Sequence, residues 1–274
     1  MHKTATWGGM PGATMGATGA TWVAWLAGMS LVLCLALPVA LLLVLGRAGA
    51  AALLHDAELH AALGTTAITA TIATGFGVIG GSPVAYLLAR RRFRGRAILA
   101  AIIDLPLLIP HPVAGIAILL LLSRETPWGR ALLDAGLHVV GSPAGIVAAM
   151  LFVSVPLYIS AAREAFAKVD PNYERIARTL GATPWRTFHR VTLPLAARGL
   201  TSAGIIMWSR AVSEFGAVVV LAYNPKVVSV LSYDRFTTGG VPQAVPVAAV
   251  LIVASLIPLT LLRALRGDST VEFT

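Results

Sequence analysis

The 274-residue sequence has one cysteine, and only 12% of its residues are charged, about half the share a soluble domain carries. A single thiol excludes an internal disulfide. No histidine or cysteine accompanies it at metal-ligand spacing, so no metal site is expected. Cys34 lies within an apolar run and reads as a buried, inert thiol. Acidic residues number 12 against 21 lysines and arginines, a net charge of +9. The basic residues are spread as topology signals, not gathered into a patch, so nucleic acid is not an expected partner. Chemical motifs are missing as well. There is no G-x-x-x-x-G-K-[ST], no H-E-x-x-H and no G-x-S-x-G. No catalytic residue is assigned, and any ATP hydrolysis must lie on another chain.

What fills the sequence instead is apolar surface: 57% of residues are hydrophobic and the mean hydropathy is +0.81. Residues 1–21, rich in Gly, Ala and Thr, read as a disordered N-terminus. Six runs follow at 22–45, 63–89, 97–122, 143–162, 200–222 and 244–262. Each is long enough to cross about 30 Å of hydrocarbon. The first has no convincing cleavage signal and reads as a retained span. With both termini inside, Lys3, Arg90 to Arg96, Arg163 to Arg198, Arg263 and Arg266 are internal, fifteen of the 21 basic residues. The outer loops hold Arg47, Arg124, Arg130, Lys226 and Arg235, and Arg210 lies within a span. That three-to-one bias places the 90–96 and 163–198 loops in the cytoplasm.

The cytoplasmic stretch 168–194 carries the strongest local signals. Asp170-Pro171 is an N-cap with proline at the first helical position. Tyr173, Ile176, Ala177 and Leu180 share one apolar helical face. Gly181 is placed for a left-handed cap. Thr183-Pro184 reopens a second short helix whose Trp185 and Phe188 share a face, and Leu193-Pro194 is expected to stop it. An apolar face beside a basic one, hooked out of a membrane bundle, is suited to being gripped by a soluble partner.

Gly181, nine residues, then Val191-x-Leu193-Pro194 resembles the coupling loop of ABC-importer permeases, E-A-A-x3-G-x9-I-x-L-P. The match covers Ala177, Gly181, Leu193 and Pro194. It departs at its start: Arg175 and Ile176 take the Glu and first Ala positions, and Glu174 lies one residue early. That touches the salt-bridging role of the motif's glutamate, not the helix–Gly–helix form. Asp104 to Pro112 is similar to the LPLxLPPxVxG stretch of oxyanion permeases, with His111 where proline is usual. Its prolines at 106, 110 and 112 break a helix at a depth where irregular backbone is tolerated only against protein or a wet cavity. Residues 209–247, with their E-F-G-A-V, Tyr-x-Pro-Lys and Tyr-Asp-Arg-Phe-Thr segments, resemble tungstate and molybdate permeases.

Other intramembrane polar residues have two readings. Arg210 and Glu214, four apart, can pair on one helical face, either in the pathway or as a structural ion pair. Ser202, Ser209 and Ser213 form a hydroxyl stripe that could line a pore or bond the preceding turn. Asp104 and His111 belong to the same group of pathway or gate candidates. Ala73, Gly77 and Gly81 read as helix packing, and Pro83 as a kink.

The resemblance, over about residues 63–266, implies an all-α membrane protein with six transmembrane helices of the type I ABC-importer permease fold. A single permease domain spans 22–266, with a cytoplasmic tail at 267–274. It implies a multi-pass protein of the cytoplasmic (inner) membrane, paired as a homodimer and served by two ABC ATPase subunits. ATP and magnesium would be theirs; no cofactor is expected on this chain. An extracytoplasmic binding protein would deliver tungstate or molybdate, with sulfate or thiosulfate as the rival substrate. Coupling would rest on Tyr173, Glu174, Ile176, Ala177, Leu180, Gly181, Trp185, Phe188, Leu193 and Pro194. The alternative from another class is a secondary anion transporter working without ATP, which often shows inverted repeats; no second copy of the coupling segment is present.

Overall fold

The computed structural model describes residues 15–49, 53 and 55–267, and every element in them is a helix or helical turn. In hydrocarbon this is the local solution that satisfies each backbone N–H and C=O within its own segment. Residues 1–14 and 268–274 of the expected terminal segments lie outside the described residues.

The first helix, α1 (Met15–Gly46), starts upstream of the expected span. Residues 15–21 are therefore helical, not irregular, because an apolar span that has already nucleated a helix can extend it into sequence that would not form one alone. Its span is open on all sides, and Cys34 is exposed, a correction to the buried thiol expected. Only its end, near Gly46, meets the bundle at Ala249.

Helix α2 (Ala57–Arg90) begins on Asp56, whose carboxylate accepts the Leu59 N–H at 3.0 Å, and runs helical through Pro83. Its small-residue stripe behaves as expected: Ala73, Gly77 and Gly81 are buried, Gly77 against Met207 and Gly81 against Tyr158. The expected span 97–122 is instead two helices, α3 (Arg96–Leu108) and α4 (His111–Leu122), bent by 113°. Pro110 holds Ile109 in an extended conformation, and Pro112 can only open a new helix. A short outer helix, α5 (Pro127–Asp134), leads to α6 (Pro143–Lys168), which runs beyond the expected end at residue 162.

Two more boundaries differ. Helices α7 (Pro171–Thr179) and α8 (Pro184–Thr187) form where expected, but Leu193-Pro194 does not end α8. A π-helical turn, Phe188–Thr192, joins it to α9 (Leu193–Val212), so Pro184–Val212 is one rod. In the π turn the Leu193 N–H reaches back to the Phe188 carbonyl, and the wider turn admits a proline at the next position. The expected span 200–222 breaks at Ser213–Phe215. There Glu214 caps the short helix α10 (Gly216–Leu221), its Oε1 accepting the Ala217 N–H at 2.9 Å. Helices α11 (Val228–Gly239) and α12 (Val241–Gly267) complete the described chain.

Five helices are long and apolar enough to cross a membrane, and the bent pair α3–α4 supplies a sixth if it is one broken span. Around the crossing of α2, α6 and α9, Leu88, Tyr158, Phe166 and Met207 are buried. A second core joins Ile146, Met150, Val218, Leu221 and Val227. At the first core Ser82 and Tyr158 share a hydroxyl–hydroxyl bond of 2.6 Å.

Candidate functional site: an exposed hook and a charge cluster between two helix breaks

The hook is held by its own backbone. Asp170 Oδ1 accepts the Asn172 N–H at 2.8 Å and opens α7. At its far end the Ala182 N–H reaches the Ala177 carbonyl and the Gly181 N–H the Arg178 carbonyl, both at 3.0 Å. This is the paired bond set of a Schellman turn. Gly181 has φ +85°, and a β-carbon there would meet nothing within 4 Å. Backbone conformation, not space, therefore demands glycine.

Around that turn the apolar side chains point away from the bundle. Tyr173, Ile176, Leu180 and Trp185 are 55%, 56%, 83% and 72% exposed. Arg175, Arg178, Arg186 and Arg190 are exposed around them. Phe188 shares a face with Trp185, as expected, stacking on it at 6.2 Å, but its ring also reaches inward to 4.9 Å from Tyr86 and 6.1 Å from Phe166. It anchors the hook instead of adding to its tip. Ala177 and Leu193 are half-buried and Pro194 is exposed.

Glu174 is the second anchor. Its carboxylate is buried, 3.0 Å from Arg90 Nε and 2.9 Å from the donating Thr192 hydroxyl. The Tyr86 hydroxyl donates to it at 3.4 Å, and Arg90 also donates to the Val169 carbonyl at 2.6 Å. Arg90 Nε lacks hydrogen-bond alignment, so its contact with Glu174 is one of charge. The glutamate displaced by one residue thus faces inward and ties α7 to the end of α2 and to the π turn. Arg175, in the motif's own register, is exposed. Tyr86 and Thr192 were not among the expected site residues and Arg90 was read only as a topology charge, since no local sequence signal joins them to Glu174.

Deep in the bundle the two helix breaks abut. Arg210 Nη2 donates to Glu214 Oε2 at 2.7 Å and lies 2.8 and 2.9 Å from the two ring nitrogens of His111. His111 Nδ1 is 2.9 Å from the same carboxylate oxygen. A proton on Nδ1 satisfies Glu214 and leaves Nε2 to accept from Arg210. The pair expected from helical spacing is therefore present, although Glu214 lies past the end of α9. Gly216 makes the approach possible, since a β-carbon there would lie 2.7 Å from His111 Cβ. Ser213 is exposed and receives Arg210 Nη1 at 3.3 Å. Ser209 only bonds back to the Ile205 carbonyl at 2.9 Å. Asp104 is exposed and has no hydrogen-bond or ion-pair partner among the described residues.

A third cluster ties the loop after α10 to the start of α2. Lys226 Nζ is 2.8 Å from Glu58 and 2.7 Å from Asp234; Arg235 is 2.6 Å from Asp56. The Tyr223 hydroxyl donates to Asp234. Hydrogen bonds from Lys226 and Tyr223 hold the Asp234 carboxyl below its ordinary value, and the Leu59 N–H and Arg235 do the same for Asp56. Asp234 and Glu58 raise Lys226 in turn.

Several apolar crossings and two helix breaks at depth define a membrane-embedded subunit that carries an exposed apolar hook. Residues 81–267 match the family model described as binding-protein-dependent transport system inner membrane component, and the chain belongs to that family. It is 39% identical over 214 residues to the molybdate/tungstate transport system permease protein WtpB of Thermococcus kodakarensis, covering 78% of this chain and 81% of that one. To the sulfate transport system permease protein CysT of Escherichia coli it is 33% identical over 214 residues, 77% of each. Its fold is shared with a bacterial alginate ABC transporter solved with a pentasaccharide-bound periplasmic protein: TM-score 0.70, 17% identity, coverage 93% and 96%. The family is a transport component, and the chain is a multi-pass ABC transporter permease.

Proposed function

We propose that this chain is the permease subunit of an ATP-driven importer for tungstate or molybdate. The observation that carries the coupling role is the tip of the hook, four apolar side chains left open around a backbone-locked turn. Fully burying such side chains is worth about 1.5–3 kcal/mol each, a free energy available to a soluble ATPase that clasps the hook. Two ATPase subunits, each gripping one hook, fit a homodimer of this chain in the cytoplasmic membrane with both termini inside. ATP and magnesium belong to those partners, and an extracytoplasmic binding protein delivers the anion to the outer loops. ATP-driven closure pulls the hooks together, the bundle opens outward, and hydrolysis returns it.

The molybdate/tungstate permeases among its relatives favour those anions, and the sulfate permease keeps sulfate as a second reading. The test is ATP-dependent uptake into proteoliposomes containing this chain, its ATPase and its binding protein. Uptake of molybdate and tungstate ahead of sulfate supports the proposal. Preference for sulfate selects the second reading, and uptake independent of ATP overturns the importer assignment.

A further inference from the structure

We infer that Arg210, His111 and Ser213 form a contact for the tetrahedral oxyanion inside the translocation path. This rests on the importer reading above and adds a place to it. Counting from their basic cytoplasmic ends, α3 ends roughly 20 Å along its axis and α9 carries Arg210 roughly 25 Å along its own, at 1.5 Å per residue. The cluster is therefore deep in the bilayer, where ionisable side chains are expensive and belong to a wet cavity or a protein contact.

Its exposure is one-sided. The Glu214 side chain is 1% exposed, whereas those of Arg210 and His111 are 24% and 41% exposed. The acid stands behind and the basic groups stand in front, with the exposed Ser213 hydroxyl beside them. An open face made of a guanidinium, an imidazole and two helix breaks cannot border lipid. It borders the aqueous path or the second copy that completes it. The face is also electrostatically suited to an anion: α4 begins at His111, so its positive end adds to the charge of Arg210. Glu214 keeps the hold weak, because an arginine already paired releases a dianion that a free one would trap. Ser213 Oγ, which now receives Arg210 Nη1, can turn its proton toward an oxyanion while the guanidinium follows.

The test uses the complete importer in proteoliposomes, with uptake of radiolabelled molybdate driven by ATP. If wild type does not accumulate molybdate, the importer reading fails before the site is reached. With wild type active, the double variant R210Q/E214Q removes both charges but keeps side-chain length and hydrogen-bonding groups. A contact for the anion predicts a loss of about tenfold or more, the worth of one charge-assisted hydrogen bond. A purely structural cluster predicts uptake within about twofold of wild type, since neutral amides can bond one another; that result overturns the inference. Should the double variant fail to assemble with its ATPase, H111Q and S213A decide. Each should lower uptake by about threefold and shift the ratio of molybdate to tungstate uptake. Wild-type rate and ratio in both would also overturn it.

Discussion

At Gly181 the backbone sits at φ +85° with open space where a side chain would go, so substitution there isolates conformation from packing. Gly181→Val should add about 1–3 kcal/mol of strain to the turn. The protein should still insert and dimerise, while uptake per ATP hydrolysed falls; full uptake by this variant would end the assignment of Gly181 as the cap. Glu174 offers the opposite case, a residue whose role is contact. Glu174→Ala leaves Arg90 buried without its carboxylate, a loss of about 3–5 kcal/mol. It should appear as faster hydrogen exchange across residues 171–192. The sequence made Gly181 legible because a cap is local. It placed Glu174 one position off the motif and stopped there, because its partners on α2 and the π turn are joined only by the fold.

Among the elements, the breaks were unequally readable. Three prolines announced the bend between α3 and α4. Nothing comparable marked Ser213–Phe215, where a side-chain carboxylate replaces helix hydrogen bonds without any residue that forbids them. The π turn was likewise hidden, and Leu193-Pro194 looked like a stop because an ordinary α turn cannot take proline in its interior. Where α4 meets α10 the packing is tight enough to test. Gly216→Val should overpack the contact with His111 and cost about 1–3 kcal/mol, read as a lower melting temperature of the detergent-solubilised protein. The link from α11 to α2 should depend on pH with a definite sign. Asp234 and Asp56 titrate below their ordinary 3.8, so their contribution is complete above that value and is lost as pH falls through the depressed range. Lys226 titrates above its ordinary 10.5, so its contribution is complete below that value and is lost as pH rises through the raised range. Protection of residues 222–240 from hydrogen exchange, taken relative to the intrinsic rate at each pH, should therefore be greatest between those limits and fall on either side.

At the scale of the whole molecule, the apolar runs of the sequence matched the five helices long enough to cross a membrane and the bent pair α3–α4. They were silent on which helices touch, since lipid and protein neighbours are equally apolar. The resemblance at 209–247 covers the loop that Lys226, Asp234 and Arg235 brace against α2, but the partners of those residues, Asp56 and Glu58, were not foreseen. The hook's exposed tip is the surface proposed above for the ATPase. Leu180→Glu places a charge where an apolar partner surface is expected and should weaken ATPase co-purification by about tenfold or more. Undiminished co-purification would show that the grip lies elsewhere.

Because Pro184–Val212 is one rod, the exposed end that carries Trp185 and the part bearing Arg210 keep a fixed phase about a common axle roughly 40 Å long. One alanine inserted near residue 200 would rotate the two ends by about 100° relative to each other. ATP would then be spent on a crank out of step with its valve, and the deficit would appear as hydrolysis without accumulation.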